Sequence, residues 1–479
     1  MNRQILPISA LPAWAKLNNV AFKGAKVDYL GHSKCFGLIA ENALVSKYAD
    51  NVATLVVVPA DIILSVKLVE EYAKLNYRFR ELLGKAGGRS RREDIMLYLL
   101  MQLSIGPQSN EERKFGLSSP WTDYVAMLPA EIPVPTMWSS KQLRMLKGTS
   151  LEAALNAKLD TLKQEFDYLY EATKEILWCE NYWWKSGKLK LHVWILLDAW
   201  FRSRSLELPV FGEAMVPCID MVNHSKNSNS YYESTSENGV CLLLKPQEEL
   251  EPNTEITINY GETKSNAEML YSYGFIDQES QILSLTLSLH PLDDDPLSKA
   301  KFAAYPGSPI LRIYFEDKYV KWNSPFIYFM CLNEEDGLEF KVLQQNDGNQ
   351  ILQVFWQDLD VSDKTDHFES LIIGHPLHKI FELRVITILC QRVEQQLEQI
   401  QQSDKIIEEM KIDGVASERK SYAMQLRKSE RYILENFLES LGTQKDTLLA
   451  SDIIKEYLSA NTCTEELDNS GYESENDFS

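Results

Sequence analysis

The sequence predicts an α+β protein in which a sheet of short strands is split by a helical insertion and followed by a mainly helical C-terminal region. Three observations carry that prediction. Runs of β-forming residues occupy 20–65 and return over 192–290, apolar residues at helical spacing fill 66–191, and two long helical stretches close 291–445. With 479 residues and 44% hydrophobic content, the chain has enough apolar surface for two or three buried cores.

Within 20–65 the strand-type runs are KVDYL, CFGLIA, ATLVVV and DIILS, separated by Gly, Lys, Asn and Pro. In the insertion, REDIMLYLLMQLS and SLEAALNAKLDTLKQEFDYLYEATKEILW place apolar residues on helical faces, with Ser150 positioned to cap the second. The apolar helix LHVWILLDAWFRSRS leads back into β-type runs, FGEAMVPCIDMV, GVCLLLKP and TEITINYG, the last two flanking an acidic turn with Pro252 and Asn253. The sheet is thus interrupted in sequence and expected to be continuous in space. The C-terminal helical stretches run roughly 377–410 and 417–441, with Gly414 marking an αα-hairpin turn between them. No internal repeat is visible.

A net charge of −20 argues against a nucleic-acid backbone as the main partner, because phosphate binding needs clustered Lys and Arg. A basic partner fits better. Six of those charges (Glu465, Glu466, Asp468, Glu473, Glu475 and Asp477) lie in a C-terminal stretch, 456–479, that reads as a disordered acidic tail. The seven cysteines are scattered singly with no CxxC pair, so neither a disulfide framework nor a zinc cluster is indicated. The N-terminal segment carries one basic residue and is broken by Pro7 and Pro12, which is poor signal-peptide grammar, and no run of ~18 apolar residues occurs. The expectation is a soluble intracellular protein without a metal or a membrane partner.

Taken singly, the polar residues have plain readings. Asn223-His224-Ser225 is an Asx-type turn leaving a strand, Ser203-Arg204 a helix C-terminus with Arg at the negative end of the dipole, and Gly37-Leu38 a bulge. Tyr260 and Tyr273, thirteen positions apart and each followed by glycine, are aromatic residues where the backbone turns or comes close to a ligand. In combination they say more. The ordered set Gly37-Leu38-Ile39-Ala40, Ser203-Arg204, Asp220 with Asn223-His224-Ser225, Asn259-Tyr260-Gly261 and Tyr273-Gly274-Phe275 resembles the SET-domain protein lysine methyltransferases of the Rubisco large-subunit methyltransferase class. The resemblance covers roughly residues 20–440, and within the class the layout is most similar to the yeast ribosomal lysine N-methyltransferases.

The resemblance implies a fold, a cofactor and roles. The split sheet becomes a SET domain and the C-terminal region a helical substrate-binding domain. The cofactor is S-adenosylmethionine, held by Gly37 and Leu38 in a glycine-containing loop, by Ser203 and Arg204, by Asn223 and His224 with Asp220 supporting their turn, by Tyr260, and by Phe275 against the adenine. Tyr260 and Tyr273 are the implied catalytic residues, and Tyr231 or Tyr232 adds a wall to the lysine channel. The activity implied is lysine N-methylation of a cytosolic protein, a large-subunit ribosomal protein first. The alternatives are a translation factor, histidine methylation on the same fold, or a non-catalytic interaction module. The enzyme is expected to be a monomer in the cytoplasm, with the nucleus as a second location.

The chemistry requires such residues. Methyl transfer from a sulfonium to an amine needs the amine neutral, although free Lys has a pKa of about 10.4. A narrow apolar channel and a nearby positive charge both disfavour the ammonium form, so no dedicated base is needed. Tyrosine suits the wall, because its ring excludes water while its hydroxyl orients the amine. On this reading Tyr260→Phe cuts methyl transfer heavily and spares cofactor binding. Two positions depart from the class pattern. Cys35 stands at the first glycine of a GxG turn, and Asn253-Thr254 stand near a usual glycine, the latter a mild change because Asn tolerates left-handed backbone.

Overall fold

A computed structural model of the chain describes residues 5–31, 35–47, 52–106, 117–278, 282–344, 350–408 and 415–459. The turn expected at Gly414 and the acidic tail from residue 460 onward lie outside the described residues; residues 456–459 are helical. The chain divides into two units, residues 1–143 with 153–281, and residues 144–152 with 282–479.

Two four-stranded sheets frame the first unit. One has the order Ala21–Phe22, Thr54–Val58, Val240–Leu244, Ser230–Ser234, all antiparallel. The other has the order Ala25–Leu30, Cys35–Ala40, Glu255–Ile258, Asn223–His224, and its last pairing is parallel. Each sheet joins strands from before and after the helical insertion, so the interruption in sequence closes in space. Leu38, Leu55, Val56, Val58, Leu242 and Leu244 are all buried, as β-branched and Leu-rich strands facing a shared core require. The run DIILS is not a strand. It forms a short 3-10 turn at Ala60–Ile62 and a single bridge from Leu64 to Met215, because Pro59 and the turn after it end the ladder.

Helices Val66–Leu75, Tyr77–Ala86, Arg91–Ile105 and Pro120–Met127 follow. Arg91–Ile105 is capped by Ser90, whose Oγ accepts from the Glu93 N–H at 3.2 Å, and its residues Ile95–Met101 are buried without interruption. An all-round apolar helix belongs at the centre of a core, and this one is there. The next long helix, Ser150–Thr173, stops five residues before the expected end. Leu191–Arg204 then delivers the chain to the hairpin Ser205–Leu208 with Gly212–Met215.

The second unit carries two long helices, His378–Glu408 and Val415–Leu449, as the sequence predicts. It also contains two three-stranded antiparallel sheets, Ser284–Ser288 with Ile310–Glu316 and Tyr319–Asn323, and Leu338–Gln344 with Gln350–Trp356 and Leu359–Asp360. Their strands were not expected. Apart from residues 144–152, this unit begins at residue 282, where the sequence suggests about 291. Its core gathers Phe326, Phe329, Phe368 and Phe381, with the Phe329 and Phe368 rings stacked 4.7 Å apart.

Ser150 is the first residue of its helix and not its cap. Its N–H and hydroxyl both donate to the Glu430 carboxylate, at 2.9 and 2.5 Å. Glu430 is 2% exposed, and burial pushes its carboxyl up to about 7 in spite of the Ser150 bonds and nearby Arg427. The folded chain therefore holds this proton more tightly than the unfolded chain. The associated stability is present below pH ~4.5 and is lost as pH rises to ~7, a change of about 3 kcal/mol at most. Glu430→Gln keeps an acceptor for Ser150 and removes the ionisation. Urea midpoints at pH 5 and pH 8 are expected to fall less for the variant than for the wild type.

Candidate active site

The Leu191–Arg204 helix ends in Arg202 and Arg204, cations suited to a helix C-terminus, and turns directly into the hairpin. A 3-10 turn at Ile219–Met221, entered through Cys218 at φ 71°, presents Asp220. Arg204 Nη1 donates to the Asp220 carbonyl at 2.9 Å and pairs with its carboxylate at 3.3 Å. On the other side the Tyr124 hydroxyl donates to Asp220 Oδ1 and accepts from the Cys218 N–H at 2.8 Å. Burial outweighs these partners and holds the Asp220 carboxyl above the usual carboxylate range, and the same burial drives the Tyr124 phenol well up. Asp220 thus braces the turn before Asn223.

Asn223 and His224 form a two-residue strand alongside Thr257 and Ile258. The Asn223 amide donates to Glu255 Oε1 at 2.8 Å. His224 Nδ1 accepts the Tyr260 N–H at 3.1 Å, which leaves the ring proton on Nε2, 3.4 Å from Asp277 Oδ2. Gly37 and Leu38 do not lie in a loop. They sit inside the strand Cys35–Ala40, opposite Asp28 and Val27. Glycine is needed at 37 for another reason: a Cβ there would come within 2.6 Å of the Asn223 amide nitrogen and of Leu30 Cδ1.

The two tyrosine rings are tilted by 40° with centroids 4.5 Å apart, yet their hydroxyls do different things. The Tyr260 hydroxyl donates to the Val222 carbonyl at 2.7 Å, and burial pushes its phenol far up. Tyr273 ends the helix Asn266–Tyr273, and its hydroxyl accepts from Lys264 Nζ at 2.7 Å. Lys264 also donates to the Tyr260 carbonyl at 2.8 Å. The Tyr273 hydroxyl also donates to the Tyr260 carbonyl at 3.4 Å, so both hydroxyls meet the backbone, and it is the Tyr273 hydroxyl that in addition meets an amine.

A cavity of about 410 Å³ brings together Ser203, Arg204, Asp220, Tyr232, Tyr260 and Tyr273. Gly37, Leu38, Asn223, His224 and Phe275 do not line it. Phe275 instead stands 5.9 Å from the His224 ring and 6.3 Å from Tyr273. Of the two candidates for a channel wall, Tyr232 faces the cavity, and Tyr231, its neighbour on the strand Ser230–Ser234, points to the opposite face. Beyond Arg204 the lining continues to Asp198, fully buried and paired with Arg92, Lys158 and Arg202 at 2.7, 2.8 and 3.3 Å. Tyr124, Asp198 and Lys264 escaped the sequence reading. Only Lys264, four residues after Tyr260 in the same motif, left a local trace.

No family model matches the sequence. SET domain-containing protein 8 of Schizosaccharomyces pombe is 29% identical over 412 residues, 85% of this chain and 89% of that protein. The chloroplastic Rubisco large-subunit N-methyltransferase of Pisum sativum is 23% identical over 274 residues, 53% of this chain and 52% of the relative. Among solved structures, the SET domain of LSMT bound to lysine and AdoHcy superposes with a TM-score of 0.66 at 17% identity, covering 98% of this chain and 96% of the other. Rubisco LSMT bound to sinefungin and monomethyllysine gives 0.63 at 18% identity, covering 98% and 97%. With its split sheets, its helical insertion and its helix-rich C-terminal unit, the chain has the SET fold of the Rubisco LSMT type.

Proposed function

We propose that this chain is an S-adenosylmethionine-dependent protein-lysine N-methyltransferase that acts in the cytoplasm on a basic protein, first of all one of the large ribosomal subunit. One observation carries the reading: the tyrosine-walled end of the cavity accommodates a lysine amine, that of the chain's own Lys264, between the Tyr273 hydroxyl and the Tyr260 carbonyl. The likeness to Rubisco large-subunit and aldolase lysine methyltransferases supports it. So does the rim of the cavity. Glu207 and Glu213 lie directly opposite each other on the hairpin and both line the cavity, a like-charge pairing that a basic segment would relieve.

The residues fit the cofactor. Arg204 lines the cavity, and its Nε is buried with no hydrogen-bond partner among the described residues, a donor suited to a carboxylate or a ribose hydroxyl. Ser203, Arg204 and Asp220 would hold the cofactor from the cavity side, with Asn223 and His224 shaping the turn beside them. Bound S-adenosylmethionine supplies an electrophilic methyl group and a positive charge. The chain does the rest. Tyr232, Tyr260 and Tyr273 exclude water from the amine, so that a neighbouring positive charge acts unscreened and favours its neutral form. The Tyr273 hydroxyl and the Tyr260 carbonyl fix its direction, and orientation alone is worth several kcal/mol of barrier.

Transfer of radiolabelled methyl to purified ribosomal proteins tests the proposal. A labelled band yielding methyl-lysine is the expected result. Label recovered as methylhistidine would favour the chemistry named for the actin-histidine N-methyltransferase of Danio rerio, 22% identical over 47% of this chain. Absence of label on ribosomal and total cytosolic protein, with cofactor bound, would sink both.

A further inference from the structure

The amine in the tyrosine-walled site is the chain's own. Lys264 Nζ directs two of its three donors to the Tyr260 carbonyl and the Tyr273 hydroxyl, and lies 4.7 Å from the centroid of the Tyr273 ring. Both the acceptors and the aromatic face suit an ammonium. The stem is accommodated as well as the head. At Gly261, φ 151°, a Cβ would come within 3.0 to 3.1 Å of Lys264 Cγ, Cδ and Cε, so the missing side chain leaves the space through which the lysine folds back.

Local structure gives no other reason for this placement. The helix Asn266–Tyr273 is closed by a capping box between Ser265 and Glu268, which needs nothing from residue 264. A cation just before a helix N-terminus is electrostatically unfavourable there. Among the described residues no carboxylate forms an ion pair with Lys264. Its partners are the two tyrosines.

We propose that Lys264 is an internal occupant of the amine site, which a target lysine must displace in order to be methylated. The inference rests on the methyltransferase reading for the identity of the incoming group. Competition from within the chain makes engagement depend on contacts that the substrate protein makes elsewhere. A short or poorly docked lysine then loses to Lys264, whose effective concentration is fixed by four residues of backbone. Lys264 is in this sense a specificity residue and not a catalytic one.

The test is calorimetric binding of free L-lysine to the wild type and to Lys264→Met, which keeps the apolar stem and deletes the ammonium. S-adenosylmethionine binding and thermal unfolding of both proteins establish that the fold is intact. The variant is expected to bind lysine at least tenfold more tightly, and Lys264→Arg, which restores a cation, to bind it weakly. Equal affinity in wild type and Lys264→Met, or binding by neither, overturns the proposal. If Lys264→Met does not fold, Lys264→Gln carries the same comparison. Tighter lysine binding in a protein that transfers no methyl group would leave this inference standing and remove the functional reading instead.

Discussion

Tyr273→Phe is expected to lower methyl transfer by on the order of 100-fold while cofactor affinity stays within a factor of two or so, the scale seen when one positioned hydrogen-bonding group is deleted from an active site. The residue names alone pointed to Tyr260 as the more sensitive position. The geometry favours Tyr273, whose hydroxyl is the one in contact with an amine. The Tyr260 hydroxyl is spent on the Val222 carbonyl, so what Tyr260 offers the cavity is its ring and its carbonyl, both kept in Tyr260→Phe. That variant loses one buried hydrogen bond, about 1 kcal/mol of stability, together with a desolvation cost at Val222. Single-turnover rates with saturating cofactor separate the two: a larger defect in Tyr260→Phe than in Tyr273→Phe would refute the assignment. Because substitution at Tyr273 also removes a partner of Lys264, the comparison is best made on the chemical step and not on KM.

The second large effect is on stability. Asp198→Ala is expected to destabilise the first unit by about 3–5 kcal/mol, the usual cost of breaking a buried ion pair from one side. Asp198 is fully buried and is the common partner of Arg92, Lys158 and Arg202. Without it, Arg92 keeps its pair with Glu165, which also accepts the Trp194 indole N–H at 2.9 Å, while Lys158 and Arg202 pair with no other carboxylate among the described residues. Thermal unfolding of this unit should move down by on the order of 10 °C. Asp198→Asn, which retains acceptor capacity, should fall between the two. A shift of a degree or less in Asp198→Ala would show that water satisfies the cations and that the network contributes little.

Much of this was legible in the residues, and the exceptions have identifiable causes. Strands Cys35–Ala40, Thr54–Val58 and Val240–Leu244 announce themselves because both faces are largely apolar, and Ala25–Leu30 because Ala25, Val27 and Tyr29 alternate with Lys26 and Asp28. The strands of the second unit do not. In YVKWN, at Tyr319–Asn323, every residue is exposed or half-buried, and in LEFKVLQ, at Leu338–Gln344, only Leu338 is buried, so period-two burial hardly reaches the sequence. DIILS misled in the opposite direction: an apolar run of strand length was recruited into a turn, with Ile62, Ile63 and Leu64 buried by tertiary packing. At the site, motif residues could be named but not arranged. Nothing in the sequence ties Tyr124 to Asp220, ninety-six positions away, and no spacing rule tells that the Tyr260 hydroxyl meets Val222 while the Tyr273 hydroxyl meets Lys264.

The way the two sheets are stitched together has a consequence for how this protein is made. Strand Cys35–Ala40 has Ala25–Leu30 on one side but must wait for Glu255–Ile258 on the other, and Thr54–Val58 must wait for Val240–Leu244. In each case about 200 residues separate the partners. At a synthesis rate of roughly 5–20 residues per second, two apolar strands stand with an open edge for roughly 10–40 seconds while the helical insertion emerges. An unpaired edge of that kind is a template for joining another chain. The nascent protein, more than the finished one, is where this architecture is exposed to aggregation, and a chain arrested before residue 240 should be markedly less soluble than the complete one.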